Sequence, residues 1–223
     1  MSYIIGAIAP VVAILIYIYY RDKWEKEPLR KLIAALALGA LSVIPVFFVE
    51  MWLHDLIYNF QITKRLDALY TAFVVAAFTE ETFKFLALLI IVWRSRQFSE
   101  KYDGIVYAVF VSLGFAMVEN IKYVLDGGMN VAFVRAVTAV PAHALFGVTM
   151  GYYLSFARFS LFYKKKNFIL ALLIPIMLHG IYDFILMSAE PGYFIVFIFY
   201  LYYLYKVGFK RIRELSTIKR TPN

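Results

Sequence analysis

Seven consecutive residues, Phe78-Thr79-Glu80-Glu81-Thr82-Phe83-Lys84, place two carboxylates and an ammonium inside an apolar run from about Leu69 to Trp93. A run of that length reads as a membrane-crossing helix. Each ionisable group there costs at least about 2.5–3.5 kcal/mol to insert, so the default expectation is a functional role. Glu80 and Lys84 stand i,i+4 and pair on one helix face. Glu81 points about 100° away and asks for a partner from another helix.

Three further apolar stretches carry such partners. Glu119-Asn120 sits in one, with Tyr123 a turn beyond Glu119; His143 follows Pro141 in the next; His179 and Asp183 share a face at i,i+4 in the last. Carboxylates and imidazoles without a nucleophile point to water activation. A Glu takes a proton from water, and His or amide donors hold the carbonyl oxygen as it turns negative. Glu80 and Glu81 are both candidates for that base, Glu119 completes the network, and Asp183 orients His179. A metal is the other route, held by His143, His179 and one of Glu80, Glu81 and Glu119, as in catalytic zinc sites. The cofactor expectation is therefore none or one zinc. The metal-free route is slightly favoured, because Asn120 and Tyr123 offer oxyanion-type donors. Plainer readings stand beside these: Glu80–Lys84 as a structural ion pair, His143 as a packing residue, Asn120 and Tyr123 as helix contacts. Glu50 and His54, also i,i+4, read as interfacial. No His-Glu-x-x-His, Gly-x-Gly-Asp or Gly-x-Ser-x-Gly pattern occurs.

The elements that must position these groups follow from composition. The 223 residues are 63% hydrophobic and 17% charged, too apolar for a soluble domain. The expectation is an all-α, polytopic transmembrane helix bundle, residues 1–223 forming a single integral membrane domain. Seven spans are expected, at about 3–20, 31–53, 68–93, 104–124, 131–157, 168–188 and 193–209. The first resembles an uncleaved anchor, since its basic cluster, Arg21, Lys23 and Lys26, follows it. Alternate connections, at 21–31, 94–103, 158–167 and the tail from Lys206, hold 18 of the 23 Lys and Arg residues. The positive-inside rule puts these in the cytoplasm, the N-terminus outside and the C-terminus inside. Lys164-Lys165-Lys166 is then a cytoplasmic flank, with no nucleic-acid partner. Gly127-Gly128 and Pro191-Gly192 mark turns, and Gly147-xxx-Gly151 would admit a neighbouring helix closely. The chain has no cysteine, which excludes disulfides and thiolate chemistry.

With that topology, Glu80, His143, His179 and Glu119 lie about five to twelve residues from the outer ends of four helices, roughly 8–18 Å deep at 1.5 Å per residue. Four helices thus bring carboxylates and imidazoles to one layer in the outer half of the bilayer.

Together, Glu80-Glu81-x-x-Lys84, Glu119-Asn120-x-x-Tyr123, His143 and His179-x-x-x-Asp183 resemble the PrsW family of bacterial membrane proteases. That family belongs to the wider group of CAAX-protease and bacteriocin-processing (Abi) membrane enzymes. The chain departs from the wider group where Phe85, not Arg, stands four residues after Glu81, and where Ala139 replaces a Phe four residues before His143. The resemblance implies a multi-pass enzyme of the bacterial cell membrane. It would make the site-1 cut, on the extracytoplasmic side, in a membrane-anchored anti-sigma factor or another single-span protein, starting regulated intramembrane proteolysis. The alternative from a different class is a proton-coupled transporter using the same Glu/His layer as a relay.

Overall fold

Within a bilayer, backbone N–H and C=O groups must be satisfied inside the segment, and the chain answers with helices throughout. The computed structural model describes residues 2–22, 25–58, 60, 62–188, 190 and 192–217. Lys23, Pro191, Lys219 and Arg220, used above for charge and turns, lie outside the described residues. The helices are α1 (Ser2–Arg21), α2 (Leu29–Leu41), α3 (Val43–Tyr58), α4 (Lys64–Tyr70), α5 (Thr79–Val92), α6 (Lys101–Val137), α7 (Ala139–Phe159), α8 (Lys164–Met187) and α9 (Tyr193–Ser216). A π-helical segment, Thr71–Phe78, joins α4 to α5. No strand occurs among the described residues.

All seven expected spans fall on helix, with three differences. Span two is broken at Ser42 into α2 and α3. Span three contains the π segment just ahead of the Glu80-Glu81 pair. Spans four and five run almost continuously, kinked at Gly128, whose φ of 74° is left-handed and suits a residue without Cβ. Among the described residues, four stretches are long and apolar enough to cross a membrane: Ser2–Arg21, Leu29–Ile57, Lys101–Phe159 and Lys164–Met187.

Helices α6 and α7 form the centre. Residues 102–116 of the first and 139–151 of the second are buried without a break. Around them stand α1 and α2 against α6, and α8 and α9 against α7; α8 also covers the π segment. The α6–α7 contact is close because Gly151 faces Gly104: a Cβ on Gly151 would lie 2.2 Å from the Gly104 carbonyl oxygen. The small-residue spacing in α7 therefore serves as expected. Large apolar side chains such as Ile90, Phe133 and Phe194 cover the outside, where lipid is the solvent.

Helix starts are set locally. Thr63 Oγ1 accepts from the Leu66 N–H to open α4. Asp103 Oδ2 accepts from the Ser99 and Glu100 N–H groups to open α6. Pro141 lies in the first turn of α7, where a missing N–H leaves no bond unmade, and it brings in His143 within that first stretch.

Candidate active site

The π segment ends at Phe78, and Thr79 Oγ1 bonds back to the Val74 carbonyl at 3.3 Å. Immediately after, the first two turns of α5 direct Glu80, Glu81 and Lys84 into the bundle. Lys84 is fully buried. Its Nζ donates to Glu80 Oε2 at 2.9 Å and Glu81 Oε1 at 2.8 Å, and sits 4.2 Å from the centre of the Phe115 ring. An ammonium this deep is tolerable only because two carboxylates and an aromatic face surround it. The expectation that Glu81 points away from Lys84 is corrected: at i,i+3 both carboxylates reach the one ammonium.

The imidazoles complete the group. His143 Nδ1 lies 3.3 Å from Lys84 Nζ, and its Nε2 lies 2.8 Å from Glu119 Oε2. The His143 carbonyl accepts from Ser112 Oγ at 2.7 Å, which locks α7 to α6 beside the ring. His179 Nδ1 lies 2.9 Å from Glu81 Oε1, and its Nε2 is 3.2 Å from Asp183 Oδ2. Asp183 thus stands where the orienting role was expected. Phe146 stacks on His179 with ring centres 5.0 Å apart.

These groups open onto a cavity of about 880 Å³. Glu80, His143, His179, Glu119 and Asp183 all line it, with Tyr123 and Glu50. Glu81 does not; it is completely buried behind Glu80, and its Oε2 has no partner.

Asn120 is a correction. It is fully buried, donates Nδ2 to the Ala7 carbonyl of α1 at 2.8 Å and accepts from Arg135 Nε at 2.7 Å. It ties helices together and does not reach the cavity, so the donor argument for metal-free chemistry loses one of its two residues. Arg135 is not among the residues singled out from the sequence, and Glu50 reads there as interfacial together with His54. Arg135 Nη2 lies 3.1 Å from Glu119 Oε2. Its signal was a lone basic residue at the start of an apolar stretch, about as far from the helix end as Glu119. Glu50 lines the cavity, whereas His54 is exposed and does not.

The donor set fits a metal. Glu80, Glu81, His143 and His179 each offer one ligand atom, all within 4.8 Å of one another, and all four residues are buried. Two imidazoles and two carboxylates suit zinc-type coordination, and the buried Glu81 Oε2, which has no hydrogen-bond partner, is a fitting ligand atom.

Comparison with known proteins points the same way. A family profile described as PrsW family intramembrane metalloprotease matches residues 27–207. "Protease PrsW" of Oceanobacillus iheyensis is 44% identical over 187 residues, covering 83% of each chain. "Protease PrsW" of Bacillus subtilis is 36% identical over 214 residues, covering 96% of this chain and 95% of its own. The protein of that name from Clostridioides difficile is 38% identical over 216 residues, covering 93% and 89%. No solved structure matches the chain. The transporter reading finds no support among these relatives.

Proposed function

Since the chain belongs to the PrsW family of intramembrane metalloproteases, we propose that it makes the first, extracytoplasmic cut in a single-span protein of a bacterial cell membrane, a membrane-anchored anti-sigma factor being the substrate class. The observation that carries the peptidase reading is the meeting of Glu80, Glu81, His143 and His179, of which all but Glu81 line the cavity.

Glu80 is the general base in this reading, because it faces the cavity while Glu81 is sealed behind it. The Glu80 carboxylate takes a proton from the attacking water and returns it to the leaving amine. Lys84 holds Glu80 and Glu81 side by side. Asp183 accepts the Nε2–H of His179 and fixes the ring so that Nδ1 is aimed at the carboxylates. Tyr123, on the cavity wall, is the hydroxyl donor for the developing oxyanion in this reading. His143 and His179, with carboxylate oxygen from Glu81 or Glu80, would hold a divalent ion. Bound there, such an ion supplies Lewis-acid polarisation and a more acidic water.

The test is cleavage of a single-span anti-sigma factor by purified protein in lipid vesicles. Proteolysis that chelator abolishes and zinc restores is the expected result. Undiminished cleavage after chelation would defeat the metal route, and no cleavage of any single-span substrate would defeat the peptidase reading.

A further inference from the structure

We infer that Arg135 is a positioning residue for the site, acting on His143 through Glu119. The inference rests on the reading of His143 as a working group.

Arg135 lies beyond the Gly128 kink and reaches back to the part of α6 that precedes it. Its Nη2 is 3.1 Å from Glu119 Oε2, its Nε donates to Asn120 Oδ1 at 2.7 Å, and its guanidinium sits 4.1 Å from the centre of the Tyr123 ring. Nη2 is buried and makes no well-angled hydrogen bond, so its tie to Glu119 is an ion pair. Asn120 is in turn anchored on the Ala7 carbonyl. A planar fork held at an amide, a ring face and a carboxylate has little freedom left.

Glu119 Oε2 receives both Arg135 and His143 Nε2, the latter at 2.8 Å. The other ring nitrogen settles which form of His143 this is. Nδ1 faces the Lys84 ammonium, which has only hydrogens to offer, so Nδ1 must present its lone pair. The ring proton is then on Nε2, and Glu119 accepts it. A guanidinium is donor-only, so Arg135 presents Glu119 to His143 as an acceptor carboxylate. The lone pair of His143 Nδ1 is left facing the space shared by Glu80, Glu81 and His179. Glu119 is 21% exposed and borders the cavity; without Arg135 it is free to swing into that space, and the ring loses its anchor. Orienting the outer nitrogen of an imidazole with a carboxylate is a general device. Here the carboxylate is itself oriented, by a residue from the far side of a kink.

The experiment reads the imidazoles directly. Protein with nitrogen-15 histidine, carrying His54→Gln so that only His143 and His179 remain, is studied by NMR in micelles. In the parent, the His143 proton is expected on Nε2, exchanging slowly with water. In Arg135→Gln that proton should exchange about 10-fold faster or more, as loss of a charge-supported hydrogen bond requires. Turnover as purified should fall about 10–100-fold in kcat, with KM little changed. Arg135→Lys keeps a cation for Glu119 without the fork and should recover part of both; it also serves if the Gln variant does not fold. A His143 proton on Nδ1 in the parent overturns the inference. So does parent-like exchange in Arg135→Gln, or a loss of activity only in proportion to loss of folded protein. The imidazole signals need no substrate, so a chain that cuts nothing still tests Arg135, and the two failures are told apart.

Discussion

Lys84 Nζ and His143 Nδ1 lie 3.3 Å apart, an ammonium against an imidazole lone pair, with Glu80 and Glu81 closing the other sides. The ammonium thus occupies the place a divalent ion would seek. Replacing Lys84 by Met leaves two buried carboxylates without their cation, a loss of about 3–5 kcal/mol for a broken buried pair. Added zinc should then raise the melting temperature in micelles more for Lys84→Met than for the parent. Equal shifts would mean that ion and ammonium do not share a place.

Glu80→Gln, Glu81→Gln and His179→Ala should each lower kcat by about 10²–10⁴-fold, the range for a positioned acid–base group. Folded protein in the membrane should stay near the parent amount for the Glu→Gln changes, since the amide keeps the shape of the side chain and Lys84 retains the other carboxylate. Parent-like turnover by folded Glu81→Gln would remove that residue from the site.

At the opposite end of the bundle, burial raises the carboxyl of Glu27 to about 7 and that of Asp22 to about 6. Tyr107 donates to Glu27 Oε2 and offsets part of that rise, while Asp22 adds to it. Folded-state values above those of the unfolded chain mean that the folded form holds more protons. The stabilisation is complete below the usual carboxylate range and is lost as pH rises through about 6 to 7. Melting in micelles should therefore weaken from pH 5 to 8, and Glu27→Gln should flatten that slope. An unchanged slope in the variant would assign the dependence to other groups.

A Cβ on Gly151 meets the Gly104 carbonyl at 2.2 Å. Gly151→Ala should push α6 and α7 apart and cost about 1–3 kcal/mol, as overpacking does. Denaturant or thermal unfolding checks this; an unaffected variant would mean that the two central helices slide freely.

The cavity is bordered by the ends of elements near Tyr123, Thr138 and Met187. A substrate helix resists hydrolysis until it unwinds, and it frays most readily at the interface. The retained fragment should therefore begin at or just inside the extracytoplasmic end of its span. Mass spectrometry of that fragment decides the matter; a cut at mid-span or on the cytoplasmic side would overturn the orientation.

The site was largely legible where its logic is local. Glu80 with Lys84 and His179 with Asp183 are i,i+4 pairs, and the matched depths of four apolar stretches suffice to group them. What could not be read was tertiary. Asn120 looked like a site donor because it follows Glu119; its real partner is a carbonyl in α1, more than a hundred residues earlier in the chain. Arg135 meets Glu119 only because Gly128 folds α6 back, and a glycine pair announces a turn without saying what it will face. The break of span two at Ser42 is instead local: Pro45 offers no N–H to the Leu41 carbonyl four residues earlier.

The π segment carries an arithmetic of its own. Its backbone bonds reach five residues back rather than four, so each residue advances the helix by less than the α-helical turn of about 100°. Wound as plain α-helix, the same eight residues would turn Glu80, Glu81 and Lys84 further around the axis relative to everything before them. The ammonium and both carboxylates would then leave His143 and His179 behind, so the irregular winding sets the direction in which the charged turn faces.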